Sequence, residues 1–420
     1  MNIAITPAFT GGSVAAPPSK SMAHRALICA ALAGGDSRIT GLAPSQDITA
    51  TARALAAFGA RITPIPGGLS VTGVVGRPAA PQVPVDCGES GSTLRFLIPL
   101  ASLCGAPVTF TGHGRLMERP QGVYRDLFRA RGLRFEQRAG ALTLQGPLPA
   151  GAYTVDGGVS SQFVSGLLLA LPLLGAPSTL AVTPPFESKS YVDLTLAAMA
   201  RAGVRVEHEN PYGINGNQIY NAYDFSVEGD WSQAAFFAVL GAARGGIALT
   251  GLDEGSRQGD RVILDILRRC GARVRQEGGA LCFDAAPLRA VEADLADCPD
   301  LGPILMVLGL LCQGRTVLHN ARRLRLKESD RVAAMEQEIR RLGGRIESDE
   351  NTVRVWGGPL HGGALDAHND HRVAMAMAVA SLAAGVSVTI AGAGAVAKSY
   401  PDFWDVLQTV CAEGSIHETA

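Results

Sequence analysis

The sequence has 420 residues, 47% of them hydrophobic and 18% charged, with a formal net charge of −1. That length allows two or three domains with large cores, and the near-neutral balance excludes a nucleic-acid binder that relies on a general basic face. Met1 to Thr6 has no basic segment or long apolar run, so no secretory signal is expected, and the eight cysteines form no C-x-x-C pair, which reads as reduced, mostly buried thiols of a cytosolic protein.

In chain order, one pattern recurs six times. An apolar helix ends near a glycine at Gly35, Gly105, Gly175, Gly245, Gly314 and Gly385, with spacings of 70, 70, 70, 69 and 71 residues. A second helix ends at Gly59, Gly132, Gly203, Gly271 and Gly343, and a strand such as Ala60-Arg61-Ile62, Val204-Arg205-Val206 or Ala272-Arg273-Val274 is expected after it. The second repeat shows the layout in full. Phe96 to Cys104 is apolar on nearly every side, Pro107 to Gly112 reads as a strand, and Arg115, Glu118 and Arg119 mark a charged loop. Gly122 to Arg131 is then an amphipathic helix.

The first helix of each repeat is expected to be buried and the second to cover it. A period near 70 is too long for common solenoids of roughly 20–45 residues, so closed packing follows, with two domains of three repeats. The polar stretch Glu207 to Asp224 is either the connection between them or a long hairpin. Phe163 to Phe186 and Val373 to Ala397 are long enough to span a bilayer. Each breaks near its middle, at Gly175-Ala176-Pro177 and at Gly385, so a helix and a buried strand are expected instead.

The chemistry gathers at two places in the repeat. The first-helix starts read Ser19-Lys20-Ser21 with Arg25, Ser90-Gly91-Ser92-Thr93, Ser160-Ser161-Gln162, Gly229-Asp230-Trp231-Ser232-Gln233, Asp297-Cys298-Pro299-Asp300 and Asn369-Asp370-His371-Arg372. These are capping residues, and a helix start offers free N–H groups and partial positive charge to an anion. The loops before the second helices hold Gln46-Asp47, Arg119, Ser188-Lys189 with Tyr191, Arg257-Gln258, Lys327-Glu328-Ser329-Asp330-Arg331 and Lys398. Lys20, Arg25, Arg119, Lys327, Arg331, Arg372 and Lys398 thus stand at matching positions in a chain of net charge −1. Small polyanionic substrates, more than one, are expected. Asp300, Glu328, Asp330 and Asp370 among these cations are candidate proton-transfer groups.

Other motifs are set aside. There is no P-loop, and Gly392-Ala393-Gly394 lacks the strand–turn–helix context of a dinucleotide site. His368 and His371 have no ligand-spaced partners, so no metal and no cofactor are expected.

Taken together, Ser19-Lys20-Ser21 with His24-Arg25, Gly91-Ser92-Thr93-Leu94-Arg95, Glu118-Arg119-Pro120, Ser160-Ser161-Gln162-Phe163, Lys327 to Arg331, Asn369 to Arg372 and Lys398 to Asp402 resemble the 5-enolpyruvylshikimate-3-phosphate (EPSP) synthase family of enolpyruvyl transferases, over nearly the whole chain. The resemblance implies an α/β fold of two domains, each of three βαβαββ units forming an inside-out barrel with pseudo-threefold symmetry. The domains are expected at 18–228 and at 1–17 with 229–420, and the active site in the cleft between them. The implied reaction joins shikimate 3-phosphate and phosphoenolpyruvate (PEP) with loss of phosphate, through a noncovalent tetrahedral intermediate. Shikimate 3-phosphate would be held by Lys20, Ser21, Arg25, Ser160, Ser161, Gln162, Ser188, Tyr191, Asp300 and Lys327. PEP would be held by Lys20, Gly91, Arg119, Gln162, Arg331, Arg372 and Lys398. Asp300 is implied as the base and Glu328 as the proton donor to the methylene carbon, with Lys20 beside them.

Pro18 and Arg323 depart from the family, which commonly has glycine before Ser-Lys-Ser and, in some members, asparagine at the second position. A cytosolic monomer that touches neither nucleic acid nor membrane is expected. The rivals are a UDP-N-acetylglucosamine enolpyruvyl transferase, whose loop cysteine has no counterpart in Gly112 to Arg119, and a non-catalytic or RNA-end-processing protein on the same repeat.

Overall fold

The computed structural model describes residues 1–138, 140–207 and 209–419. The chain divides into two compact bodies, one of residues 18–227 and one that joins residues 1–17 to those from Glu228 onward. Each has its own apolar core.

Every repeat contributes one inner and one outer helix. In the 18–227 body these are α1 (Lys20–Leu32), α2 (Gln46–Ala57), α3 (Gly91–Ser102), α4 (Gly122–Arg129), α5 (Ser161–Ala170) and α6 (Lys189–Arg201). In the other body they are α7 (Trp231–Arg244), α8 (Ile263–Arg269), α9 (Gly302–Leu311), α10 (Arg331–Arg341), α11 (His371–Ala384) and α12 (Phe403–Gln408). The inner helices carry apolar residues all round, and the structure buries them accordingly: every residue from His371 to Leu382 of α11 is buried. Helices α7, α9 and α11 pack on one another inside their body. In the 18–227 body α3 packs on α5, while α1 leans on α2 and α6. Outer helices such as α4 and α10 bury one face only. Gly385 closes α11 in the left-handed conformation, with its N–H on the Ser381 carbonyl, a geometry that glycine adopts without Cβ strain.

Five of the six sheets among the described residues share one strand order. In the second repeat Val85–Asp86 runs parallel to Val108–Thr111, followed by antiparallel Ala141–Gln145 and Arg134–Arg138. Three repeats complete their sheets with distant strands. Phe225–Ser226 pairs with Asp36–Thr40 in the first, and Gly12–Ala15 pairs with Ile247–Thr250 in the fourth. Asn2–Ile5 lies between Val388–Ala391 and Ile416–Thr419 in the sixth. Strand burial alternates, as in eBeBe for Ala152–Asp156, so one face of each sheet covers the helices.

The two uncharged stretches fold as helix then strand: α5 with Ser178–Thr183, and α11 with Val388–Ala391. Among the described residues no helix is long and apolar enough to cross a membrane. Three expectations fail. Ser19 makes no side-chain cap hydrogen bond on α1. The fifth repeat enters α9 through a 3-10 turn, Pro299–Leu301, without a side-chain cap. Val204–Val206 is not a strand, so the third sheet has three strands. There the Gln218 side chain accepts from the Arg205 N–H at 2.8 Å and donates to its carbonyl at 2.9 Å, doing what a neighbouring strand would do. Of the two readings of Glu207 to Asp224, the hairpin is the observed one: Glu207 and Gly213 exchange backbone bonds of 2.7 and 2.6 Å, and Tyr212–Ile214 joins the third sheet.

The three tryptophans, Trp231, Trp356 and Trp404, all belong to the body from Glu228 onward, so their fluorescence reports on it alone. Phe236 on α7 is fully buried there. Phe236→Ala is expected to destabilise this body by about 3–5 kcal/mol, read as a lower urea midpoint by tryptophan fluorescence.

Candidate active site

The starts of α1, α3 and α5 gather the 18–227 candidates. Lys20, the first residue of α1, pairs with Asp47 on the first turn of α2 at 2.7 Å. Arg25 is only 2% exposed. Its Nε donates to Thr195 Oγ1 at 2.7 Å, Nη1 to the Ser21 carbonyl at 2.6 Å and Nη2 to the Tyr191 carbonyl at 2.8 Å. The guanidinium also lies over the Phe96 ring, and burial lowers its pKa to about 10. Ser21, Arg25 and Tyr191 are thus one assembly, in which Arg25 ties α1 to α6.

Ser160 caps α5 through the Gln162 N–H, with Ser161 buried beside it. The Gln162 amide accepts from Arg95 at 2.9 Å and donates to Ser92 Oγ at 3.0 Å. Arg95 also donates to the Pro120 carbonyl and lies over the Phe163 ring. Gly91 permits the close approach of Arg119. A Cβ on Gly91 would sit 2.6 Å from Arg119 Nη1 and 2.9 Å from Cζ. Ser188 is buried and left-handed, with φ of 57°, a conformation that costs a non-glycine residue about 1–3 kcal/mol.

A buried polar relay supports these starts. His24 Nδ1 meets Thr51 Oγ1 at 2.7 Å, Thr51 meets Thr93 at 2.6 Å, and Thr93 donates to Ser90 at 2.8 Å. Burial first, then Lys20 and Arg25, holds the His24 pKa well below its ordinary value, so the ring is neutral.

The other body holds a denser cluster on the turns before α9, α10 and α11. Asp300 Oδ1 accepts from Lys327 Nζ and Arg331 Nη1, each at 3.1 Å. Its Oδ2 and its backbone carbonyl both accept from Arg372 at 3.1 Å. Arg331, 1% exposed, also reaches Asp370 at 2.9 Å and Glu328 at 2.8 Å. Asp370 is wholly buried, caps α11 through the Arg372 N–H, and accepts from Ser329. Lys398 donates to the Asn369 carbonyl at 2.6 Å. Arg323 is buried on the turn before Lys327, and its charge is among those facing Lys327.

Burial alone would raise the Asp300 pKa, but Arg372, Lys327 and Arg331 outweigh it and hold the carboxyl well below the usual range. Asp370 is lowered against its own burial, chiefly by Arg331. Burial lowers Lys327, which Asp300 only partly offsets. Two guanidiniums, Arg331 and Arg372, and two lysines, Lys327 and Lys398, set among Asp300, Glu328 and Asp370 can take an incoming phosphate or carboxylate, and the ionised Asp300 among them can accept a proton.

Sequence reasoning missed Asp260, Ser92, Arg95, Thr51 and Thr93 as parts of this machinery. Asp260, 1% exposed, accepts a short bond from the Ser232 hydroxyl. Burial, then Asp300, pushes it up to about 7. The motif Gly91 to Arg95 contained Ser92, Thr93 and Arg95, but only tertiary packing joins them to Gln162 and Thr51.

Among solved structures the chain is similar to EPSP synthase from Acinetobacter baumannii, with TM-score 0.79 and 25% identity over 100% of both chains. It shares the fold of the enolpyruvyl transferase NikO from Streptomyces tendae, with TM-score 0.76 and 18% identity over 99% and 98% of the two chains. The fold is that of the enolpyruvyl transferases, two domains of three βαβαββ repeats with helices inside and sheets outside. A family model described as EPSP synthase (3-phosphoshikimate 1-carboxyvinyltransferase) matches residues 6–407. Two curated relatives named 3-phosphoshikimate 1-carboxyvinyltransferase come from Clostridium kluyveri and Clostridium beijerinckii. The first is 42% identical over 98% of this chain and 97% of its own, the second 41% identical over 96% of each. The chain belongs to the EPSP synthase family.

Asp260 gives a pH signature. Its native pKa, about 7, lies above the usual carboxylate value. Its contribution to stability is therefore fully present below about pH 4 and is lost as pH rises through 7, at up to about 1.4 kcal/mol per pH unit. Asp260→Asn should flatten that part of the profile between pH 4.5 and 7, roughly the window between unfolded and native titration. Parallel urea midpoints for the two proteins across this range would sink the assignment.

Proposed function

We infer that this chain transfers the enolpyruvyl group of PEP to the 5-hydroxyl of shikimate 3-phosphate and releases phosphate, a step towards chorismate and the aromatic amino acids. The observation that carries this reading is the buried Arg331 and Arg372 and the half-buried Lys327 gathered on Asp300, in a chain about 40% identical over its length to enzymes named for the reaction. Both substrates are small polyanions, and buried cations are tolerated only where carboxylates or substrate anions neutralise them.

In this reading shikimate 3-phosphate is held by Lys20, Ser21, Arg25, Ser160, Ser161, Gln162, Ser188, Tyr191, Asp300 and Lys327. PEP is held by Lys20, Gly91, Arg119, Gln162, Arg331, Arg372 and Lys398. Asp300 takes the proton of the 5-hydroxyl as its oxygen attacks C2 of PEP. Glu328 takes up a proton as PEP draws Arg331 away from it and passes that proton to the methylene carbon, and the tetrahedral adduct forms without a bond to the protein. The methyl carbon then loses a proton to Glu328, the C–O bond to phosphate breaks as the leaving phosphate takes the proton held by Asp300, and the carbon–carbon double bond returns. Asp300 is a weak base while three cations hold it. PEP drawing Arg331 and Arg372 to its own anions raises that basicity when the acceptor is needed.

All these residues come from one chain, so a monomer suffices. Eight free cysteines support a cytosolic setting. The sugar-nucleotide rival is disfavoured: the Gly112 to Arg119 loop has no cysteine, and burial pushes the Cys104 thiol up to about 11, far from a reactive thiolate.

Phosphate release from PEP is expected with shikimate 3-phosphate and not with UDP-N-acetylglucosamine; turnover with the sugar nucleotide alone would reverse the assignment. Gly91→Ala forces the Arg119 guanidinium aside, and that side-chain end moves at little cost to the fold. The variant should keep its melting midpoint while the KM for PEP rises by about tenfold, worth about 1.4 kcal/mol. An unchanged KM would remove Arg119 from PEP binding.

A further inference from the structure

Seven residues along α10 from Arg331, two turns on and so on the same helix face, stands Glu338, which the reaction above does not use. Its side chain is wholly buried. Oε1 meets His368 Nε2 at 2.7 Å, Oε2 accepts the Asp366 N–H at 3.0 Å, and Arg341 Nη1 reaches the two oxygens at 3.2 and 3.1 Å. A carboxylate only accepts, so Nε2 of His368 is the donor.

His368 belongs to an unusual turn. It and Asn369 are consecutive non-glycine residues in the left-handed region, with φ of 51° and 53°, where Cβ crowds the following carbonyl. The His368 N–H is bonded to Asp366 Oδ1 at 2.6 Å. The next two residues carry the cation cluster. The Asn369 carbonyl holds Lys398, and Asp370 holds Arg331 and caps the helix that starts with His371-Arg372. One helix therefore grips this turn at both ends, through Arg331 on Asp370 and through Glu338 on Asp366 and His368.

We propose that Glu338 and His368 are positioning residues: their bond holds the left-handed His368-Asn369 turn in the form that aims Lys398, Arg331 and Arg372 at one anion. The inference rests on the reading that these three cations hold PEP. The His368 ring is 24% exposed, so truncating it leaves the core and the Glu338–Arg341 pair intact.

The test is steady-state phosphate release by the unaltered chain, His368→Ala and His368→Gln, with melting midpoints for each. His368→Ala should raise the KM for PEP about tenfold, with kcat and the KM for shikimate 3-phosphate within about twofold, the pattern of lost binding rather than lost chemistry. His368→Gln, whose amide nitrogen reaches where Nε2 stands, should return the KM for PEP to within about threefold of the unaltered chain. An unchanged KM for PEP in His368→Ala, equal loss for both substrates, or no recovery in His368→Gln overturns the inference while the unaltered chain turns over. Absence of turnover by the unaltered chain overturns the reading of function and this inference with it.

Discussion

Arg331 is the charge on which its body's functional surface depends. A guanidinium almost out of contact with water is tolerable only with carboxylates against it, and it has three: Asp300, Glu328 and Asp370. Removing one partner of such a buried pair typically costs about 3–5 kcal/mol, so the cluster fixes the three turns that supply it. Asp300 precedes α9, Glu328 precedes α10, and Asp370 caps α11. The arrangement places cations and carboxylates in alternation, which keeps Arg372 and Lys327 extended toward Asp300 rather than repelling Arg331.

The six-fold repeat explains why such turns coincide. An apolar helix that must be buried on all sides brings its neighbours' starts together with its own, because equivalent repeats within a body share one direction. Each body then completes its sheets differently. Gly12–Ala15 and Phe225–Ser226 flank the two places where the chain passes between bodies, and each adds a strand to a repeat far away in sequence. Such pairings close the bodies at the entropic cost of long loops, and they make the N-terminal segment part of the core of the body from Glu228 onward, where Ile3, Ile5 and Val14 are buried.

Much of this was legible before any coordinates. The period of 70 and the glycines after the outer helices marked the repeat, and Ser90, Ser160, Asp230 and Asp370 read correctly as caps because a cap is a local event. What was not legible is non-local. Nothing near Val204 announces that Gln218 replaces its strand partner, and nothing near Asn2 names Ile390. The left-handed Ser188 is imposed by its surroundings, and although asparagine and histidine enter that region more readily than most residues, nothing in the sequence marks His368 and Asn369 as two in succession there. Nothing in the sequence marks Asp260, and only burial beside Asp300 makes it a different kind of group.

The two acids show why a group's charged partners, rather than its residue type, decide proton chemistry in this body. Asp260 is withdrawn from water and Asp300 is half-buried, and both feel Arg372. Asp300 has three cations within hydrogen-bond reach and stays ionised, while Asp260 has a serine hydroxyl at its carboxylate and the negative charge of Asp300 against it. Ionising both would place two like charges around one set of cations, so the group with the better partners keeps the charge and the other keeps the proton. An anion that takes cations away from Asp300 narrows this difference. The proton affinity of the cluster is therefore set by which anions share its cations.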